Sequence, residues 1–422
     1  MYWIYSALLG LTLFVSLPYW LWQRLRHGKY RAGMEQRLGT VPEALNSQQP
    51  VIWVHAVSVG EVLAVSSLVE QLKNHLPGRR IVVSTTTDTG QRLARAKFGE
   101  ANVFYFPLDF AFAIRPYLDV LKPRLVVIAE TEFWPNFLRL THGSGARIAI
   151  VNARISDRSW PGYQRFRSLL TGVLQQVDLF LAQTDEDRKR LIDIGASADR
   201  VQVSGNLKFD VPLPPVPAIV ASLRTAFQQA GSTPILVCGS TVEDEEPLLL
   251  QAFVNVLASH PKAVMILAPR HPERFAEAAK LLEDLGLHFW KRSLWSGEPI
   301  VGGVLLVDTI GELASLYALA DVAFVGGSLV PRGGHNIIEP AQHGVAIVVG
   351  NHTENFRDIV GLFQSRDALR VVGPAEFPLV LMDLISHPEE RAALGQRAAE
   401  TLRSQTGATG RTLAALESLI KP

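Results

Sequence analysis

The sequence predicts an α/β protein made of two doubly wound halves, each built on a parallel sheet. Short apolar runs alternate with amphipathic stretches from Val51 onward, and the runs are apolar throughout, as strands buried on both faces are. The alternation stops at a proline-rich break and then starts again. A chain of 422 residues is also long enough for two domains of ordinary size.

The strands and helices follow in order along the chain. Six strands are predicted in the first half, at residues 51–54, 81–83, 103–106, 125–129, 148–151 and 179–182. Five are predicted in the second half, at residues 235–238, 264–268, 304–307, 322–325 and 346–349, and helical sequence closes the chain over about 388–404 and 412–420. These elements give an N-terminal domain at 31–209, a linker at 210–217 with four prolines in eight residues, and a C-terminal domain at 218–422.

Residues 1–30 differ from the rest of the chain. No charged side chain occurs over residues 2–22, and about 20 apolar residues suffice to cross a bilayer core. Aromatic residues cluster at both ends of this segment, and basic residues follow it before the first acid, Glu35. The pattern predicts a single membrane anchor with everything after it on the cytoplasmic face. Whether the helix spans the bilayer or lies in its surface stays open.

The charge and cysteine content argue against several classes of function and site. Lys plus Arg is 41 and Asp plus Glu is 40, and a net charge of +1 gives no reason to expect nucleic-acid binding. The single cysteine, Cys238, cannot form an internal disulfide. No His/Cys pattern has zinc spacing, and the acidic run at 185–187 is more typical of a helix start than of a metal site. We expect no bound metal and no cofactor.

Ligands of open parallel sheets bind beyond the carboxyl ends of the strands, so the residues just after each strand are the candidates. The first strand is followed by Ser58, Gly60 and Glu61. Ser58 can cap the next helix, and Gly60 permits an unusual backbone angle. Glu61 is either a helix-start carboxylate favoured by the dipole or a general base.

Polar groups also follow three further strands of the first half. Thr86 lies in a hydroxyl-rich turn that suits either helix capping or a polyhydroxylated ligand. Glu130 and Glu132 precede an aromatic pair, which suits either a sugar or a capped helix with its tryptophan in the core. Arg154 follows the fifth strand and adds a cation.

The second half contains the motifs that most clearly indicate a ligand-binding site. Ser240 follows its first strand, and Arg270 and His271 follow the next, where a guanidinium can grip a phosphate. The strongest stretch is rich in glycine, which lets backbone approach a ligand closely, and it ends in a carboxylate that can accept from ribose hydroxyls. Its candidate residues are Gly326, Gly327, Ser328, Gly333, Gly334, Asn336 and Glu339.

Taken together, these motifs resemble the bacterial 3-deoxy-D-manno-octulosonic acid (Kdo) transferases. The resemblance extends over nearly the whole chain, and the order of the motifs makes it specific. It is carried by His55 and by residues 58–61, 84–90, 105–109, 130–136, 152–154, 205–208, 269–271, 333–336 and 339–341.

The resemblance implies a GT-B fold, in which two Rossmann-like domains face a central cleft. It implies CMP-Kdo as donor, a lipid A precursor as acceptor, and inverting transfer without a metal at the inner membrane. Glu61 is then the general base, Arg270, His271 and the glycine-rich segment lie on the nucleotide side, and Lys208 faces the donor. An anionic glycolipid acceptor and anionic lipid head groups would be attracted by the basic stretch after the anchor.

Several alternatives stay open. Glu130 or Glu132 competes with Glu61 for the role of base, because the pKa of each depends on burial. Another GT-B transferase or an epimerase would use a nucleotide diphosphate sugar. A membrane-tethered nucleotide-binding protein would need Arg270 and Glu339 but not Glu61.

Overall fold

The computed structural model describes residues 2–27, 33–157, 159–212 and 216–420. The chain forms two compact units: the first unit comprises Met1–Val211 and Gln405–Pro422, and the second unit comprises Pro212–Ser404. Each unit has a seven-stranded sheet in which every strand pair is parallel. The predicted fold class, two parallel-sheet α/β domains, is confirmed.

The first unit has the strand order β3-β2-β1-β4-β5-β6-β7. Its strands are β1 (Val51–His55), β2 (Arg80–Thr85), β3 (Val103–Tyr105), β4 (Pro123–Ala129), β5 (Arg147–Ala153), β6 (Leu179–Ala182) and β7 (Val201–Val203). Its helices are α1 (Tyr2–His27), α2 (Met34–Arg37), α3 (Val59–His75), α4 (Asp88–Phe98), α5 (Ala111–Leu121), α6 (Pro135–Gly143), α7 (Trp160–Arg165), α8 (Arg167–Leu174), α9 (Asp185–Asp193) and, from the end of the chain, α18 (Ala408–Ile420).

The second unit repeats this plan with the order β10-β11-β9-β8-β12-β13-β14. Its strands are β8 (Ile235–Thr241), β9 (Val264–Pro269), β10 (Phe289–Lys291), β11 (Gly303–Leu306), β12 (Val322–Val325), β13 (Ala346–Gly350) and β14 (Arg370–Val372). Its helices are α10 (Ala218–Ala230), α11 (Glu246–Ser259), α12 (Phe275–Asp284), α13 (Leu313–Leu316), α14 (Ile338–Gln342), α15 (Arg357–Ser365), α16 (Phe377–Ser386) and α17 (Pro388–Gln405).

The strands are apolar throughout because each sheet is covered on both faces. Along β1, Val51 and Trp53 pack into one core cluster, while Ile52 and Val54 pack into the cluster on the opposite face. Alternate residues of a strand point to opposite faces, so both sets must be apolar.

The strand order reverses between β1 and β4 in the first unit and between β8 and β12 in the second. Such a switch point leaves a crevice at the carboxyl ends of the two neighbouring strands. Glu130, just after β4, and Ser240, within β8, both have positive φ, 58° and 55°. Non-glycine residues rarely adopt this conformation, and it concentrates at functional sites.

The end of the chain differs from the predicted C-terminal domain at 218–422. Helix α18 belongs to the first unit, where Leu413 and Leu416 join the core cluster that contains Val54. The carboxylate of Asp210 accepts hydrogen bonds from the backbone N–H groups of Gly407 (2.7 Å) and Thr409 (2.5 Å). Asp210, predicted as the start of the linker, therefore fixes the N-terminus of the returning helix.

Helix α1 covers most of the predicted anchor. Among the described residues, none of the helices combines the length and apolar character needed to cross a bilayer. The basic residues predicted to follow the anchor lie partly outside the described residues, since 28–32 fall in a gap.

Candidate functional site

Glu61 lies in the first turn of α3, with 8% of its surface exposed. Its carboxylate accepts hydrogen bonds from the backbone N–H of Val57 (2.7 Å) and from the hydroxyl of Ser58 (2.9 Å). Ser58 occupies the N-cap position, but its hydroxyl bonds to the carboxylate and to no helix amide. The expected capping bond of Ser58 is thus replaced by one that fixes Glu61.

The environment of Glu61 makes it basic. Burial raises the pKa of Glu61 to about 7, the charges of Glu130 and Glu132 act in the same direction, and the two hydrogen bonds oppose them. A carboxyl with this pKa is about half ionised at neutral pH. That balance suits a group that takes up a proton during a reaction.

Glu130 and Glu132 extend the same cluster. The ammonium group of Lys208 lies 3.0 Å from a carboxylate oxygen of Glu130, and both side chains are about one-third exposed, 30% and 32%. Burial, followed by the charge of Glu130, raises the pKa of Glu132. Lys208 therefore neutralises one acid of the cluster, and its partner Glu130 is a predicted acceptor-side residue.

Asn152 positions the segment that carries Lys208. It has φ 55° and is fully buried, and its side-chain oxygen accepts a hydrogen bond from the backbone N–H of Leu207 at 3.0 Å. Asparagine tolerates the left-handed conformation better than most residues. The sequence marked Asn152 only as part of a motif, because a tertiary contact 55 residues along the chain leaves no local signal.

The other predicted residues of the first unit have mixed outcomes. Gly60 does not have a left-handed φ, so the fold does not use the unusual backbone angle that a glycine permits. An added Cβ on Gly60 would meet only the Ser58 hydroxyl, at 3.9 Å. Thr86 has a buried hydroxyl without a hydrogen-bond partner among the described residues, while its neighbour Thr87 caps α4. The backbone N–H of Arg154 donates to the hydroxyl of Thr131 at 3.1 Å.

In the second unit, Arg270 lies close enough to His335 and Glu339 to influence the pKa of each. Burial lowers the pKa of His335 to about 4, and the charges of Arg270 and His271 lower it further. Burial raises the pKa of Glu339, against a hydrogen bond from Asn336 and the charge of Arg270. The exposed guanidinium of Arg270 has no salt-bridge partner in the described part of the chain, so it is available to an anion.

The glycine-rich stretch divides into two layers. Gly333 and Gly334, with φ 88° and 73°, form an outer layer. The backbone N–H of Gly334 donates to the carbonyl of Gly327 at 2.7 Å, so the outer layer rests on Gly327. An added Cβ on Gly333 would come within 2.4 Å of the Asn355 side chain, which explains the glycine.

The inner layer is saturated with internal hydrogen bonds. The backbone N–H groups of Gly327 and Ser328 donate to the carboxylate of Glu245. The fully buried hydroxyl of Ser328 donates to the carbonyl of Val325 at 2.6 Å and accepts from the backbone N–H of Gly350 at 2.8 Å. The backbone N–H groups of Gly327 and Ser328 and the hydroxyl of Ser328 are thus already paired within the protein.

Gly326 completes the inner layer, and sequence reasoning missed its partner. An added Cβ on Gly326 would lie 2.4 Å from the carbonyl oxygen of Ser240 and 2.8 Å from the carboxylate of Glu245. Glu245 follows the motif at Ser240 by five residues, but nothing local distinguishes it from its acidic neighbours Glu243 and Glu246.

Comparison with known proteins places the chain in a family. The family model described as 3-deoxy-D-manno-octulosonic-acid transferase (kdotransferase) matches residues 32–211. A transferase of that name from Bordetella pertussis is 37% identical over 97% of both chains. This chain belongs to the Kdo transferase family. A further member, from Haemophilus influenzae, is 34% identical over 93% of this chain and 92% of its own.

Solved structures match the fold at much lower identity. A UDP-GlcNAc 2-epimerase from Neisseria meningitidis has a TM-score of 0.58 and 13% identity, with 87% of this chain and 100% of that chain covered. A glycosyltransferase from Rickettsia africae has a TM-score of 0.56 and 13% identity, with 89% of this chain and 100% of that chain covered. These likenesses show the fold alone, a pair of Rossmann-like domains.

Proposed function

We propose that this transferase moves Kdo from CMP-Kdo to the lipid A precursor lipid IVA in the inner-core synthesis of lipopolysaccharide. The observation that carries the proposal is Glu61, a buried carboxyl with its pKa near 7 at the first switch point of a Kdo transferase chain. A nucleotide-binding protein without transferase activity would need no basic group at this position.

Glu61 supplies the base for the reaction. It takes the proton from a glucosamine hydroxyl of the acceptor while that oxygen forms a bond to the anomeric carbon of Kdo. The bond from the anomeric carbon to the phosphate oxygen breaks, and CMP leaves with the electron pair. A nearby carboxylate also stabilises the positive character that the sugar acquires in the transition state.

The second unit supplies the groups for the leaving phosphate. Arg270, exposed and without a salt bridge in the described chain, can form charge-assisted hydrogen bonds to a phosphate. Charge that grows on the phosphate as the bond breaks is stabilised by such a preplaced donor. Glu339, half-buried and held by Asn336, is suited to accept from the ribose hydroxyls. We propose that this stabilisation needs no metal ion and that transfer inverts the anomeric centre.

We propose a GT-B fold as well, and attachment of the chain to the cytoplasmic face of the inner membrane through α1. The polar face of α1 is held by the first unit. The Asn136 side chain donates to the Ser6 hydroxyl at 2.9 Å, and the Tyr5 hydroxyl bonds to the Asp109 carboxylate.

The opposite face of α1 is apolar and exposed. Because one face packs along the protein, the contacts favour a helix that lies in the membrane surface with its apolar face toward the acyl chains. The exposed side chains are those of Trp3, Ile4, Leu8, Leu11, Phe14 and Val15.

Vesicle flotation tests the attachment. The paired change Leu8→Glu and Leu11→Glu should abolish flotation with vesicles that contain anionic phospholipid. Leu285→Glu, at an apolar residue of the second unit that is 43% exposed, is the matched control and should float like the wild type. Flotation of the paired variant at the wild-type level would contradict attachment through α1.

A transfer assay tests the activity itself. The wild-type protein in detergent micelles should convert CMP-Kdo and a tetra-acylated lipid A precursor to CMP and a Kdo-bearing glycolipid. In a nucleotide displacement assay, CMP should bind more tightly than UMP or UDP. A folded protein that prefers UDP and forms no Kdo product would overturn the proposal in favour of another nucleotide sugar.

A further inference from the structure

Glu245 is a fully buried carboxylate at the second switch point. Its oxygens accept hydrogen bonds from four backbone N–H groups, and no salt bridge to Glu245 occurs among the described residues. The donors are Val242 at 3.3 Å, Gly327 at 2.8 Å, Ser328 at 3.0 Å and Leu329 at 2.9 Å. Three of the four donors therefore come from the loop that follows β12, more than 80 residues further along the chain.

Successive backbone N–H groups that converge on one point form a concavity for an anion. In many proteins such a concavity holds a phosphate. Here the carboxylate of Glu245 occupies it, so the N–H groups of Gly327, Ser328 and Leu329 are already satisfied without a ligand. A donor phosphate cannot use them unless Glu245 leaves, and its full burial leaves little room for that.

The clamped loop supports the outer layer. The carbonyl of Gly327 accepts from the N–H of Gly334, and the carbonyl of Ser328 accepts from the N–H of His352 at 2.9 Å. Gly327 also lies against the ring of His335, since an added Cβ would come within 2.9 Å of it. The position of the outer segment, residues 333–339, thus depends on the loop that Glu245 holds.

We propose that Glu245 is a positioning residue for donor binding: it fills the anion-binding concavity of the β12 loop and so presents residues 333–339 to the CMP part of the donor. The inference rests on the proposed function of this segment. It assigns Gly327 and Ser328 to support and leaves contact with the nucleotide to the outer segment and Arg270.

Hydrogen exchange of the wild-type protein tests this assignment directly. The amides of Gly327, Ser328 and Leu329 should be protected in the free protein and unchanged by saturating CMP, while amides within residues 333–339 gain protection. Overlapping fragments that separate 326–331 from 333–340 resolve the two layers. Protection that appears at 327–329 only when CMP is added would overturn the inference. If neither segment responds to CMP, the proposed donor site fails, and the inference fails with it.

A variant extends the test. Glu245→Gln replaces two of the acceptor positions with an N–H₂ group that faces backbone N–H donors. Because small displacements of positioning groups are costly, the KM for the donor should rise about ten- to a hundredfold, with the KM for the acceptor unchanged. Glu243→Gln, at a neighbouring carboxylate whose side chain is 62% exposed, is the control and should leave both values at wild type. A folded Glu245→Gln protein with wild-type donor KM would contradict the proposal, and if that variant does not fold, the exchange pattern of the wild type decides.

Discussion

Glu61 and Glu245 occupy corresponding places in the two units, each just after the strand that borders its switch point. A carboxylate offers about four lone-pair sites for hydrogen bonds. Glu61 uses two of them, both for donors in its own loop, whereas Glu245 uses four, three of them for donors from another loop. The turn from the switch-point strand into the following helix therefore holds a carboxylate with two unused acceptor sites in the first unit and a fully hydrogen-bonded carboxylate in the second.

The two units thus use their carboxyl groups for different tasks. Burial raises the pKa of both carboxyl groups. Glu61 has two acceptor sites that no hydrogen bond uses. A carboxylate with a raised pKa and unused acceptor sites can take up a proton from a substrate. At Glu245 every site is occupied, so the carboxylate can only hold backbone.

The largest expected effect is on the pH dependence of transfer. A base must be deprotonated, so kcat/KM should fall as pH falls through the pKa of Glu61, about 7. Between pH 9 and pH 5 the ionised fraction, and with it kcat/KM, should drop about a hundredfold. The profile is measured with CMP-Kdo at subsaturating concentration.

The residual activity of Glu61→Gln provides the control for that profile. It should lose the step near pH 7 and keep any dependence that comes from titration of the acceptor phosphates. A step of unchanged size in the variant would assign the titration to another group, with Glu130 and Glu132 as the next candidates.

The second prediction concerns the free energy of unfolding, which Glu61→Gln should raise and Glu245→Gln should lower. Folding raises the pKa of Glu61 from 4.5 to about 7, so its favourable contribution is complete below pH 4.5 and is lost as pH rises through 7. Glutamine imitates the protonated form. Glu61→Gln should therefore increase the free energy of unfolding at pH 8 by up to about 3 kcal/mol, and the gain should vanish near pH 4.

Glu245→Gln should instead lower the free energy of unfolding of the second unit at neutral pH. It leaves buried N–H donors without an acceptor, which costs on the order of 2–4 kcal/mol. Thermal unfolding at matched pH compares the two variants. A loss of stability in both would mean that Glu61, like Glu245, is chiefly a structural hydrogen-bond acceptor.

A third prediction compares the effect on the free energy of unfolding of replacing Gly326 in the second unit and Gly60 in the first. Gly326→Ala should destabilise the protein by about 1–3 kcal/mol, because the new Cβ would lie 2.4 Å from the carbonyl oxygen of Ser240 and 2.7 Å from the Cα of Thr241. Both contacts are with backbone, which cannot move aside cheaply. Denaturant unfolding gives the value, and an unchanged midpoint would show that the inner layer is looser than its hydrogen bonds imply.

The smallest effect is expected at Gly60. Its added Cβ has open space and the backbone is helical, so Gly60→Ala should raise the free energy of unfolding by about 0.5–1 kcal/mol through helix propensity. The same denaturant titration measures it. A loss of stability would mean that the helix start before Glu61 is more tightly packed than the structure indicates.

Central strands were predictable because they are continuous apolar runs. The bounds predicted for β6 and β12 agree with the structure. Three edge strands, β7, β10 and β14, were missed. Each has only three residues, at least two of them with exposed or half-buried side chains, so no continuous buried apolar run marks it.

Polar candidates after the strands were predictable because parallel sheets bind ligands at that edge. Their individual roles were not, since these depend on tertiary partners. The salt bridge between Lys208 and Glu130 joins residues 78 apart, and the bond from Leu329 to Glu245 joins residues 84 apart. The position of α18 depends on Asp210 in the same way.

The most direct test of Glu61 as the base is a single comparison of wild type with Glu61→Gln in transfer from CMP-Kdo to tetra-acylated lipid A precursor. CMP affinity is measured on the same preparations. If Glu61 is the base, the variant binds CMP like the wild type, because Glu61 lies outside the donor residues of the second unit, and transfers Kdo about a hundredfold more slowly or worse. A variant that binds CMP normally and transfers at nearly the wild-type rate would contradict this role of Glu61.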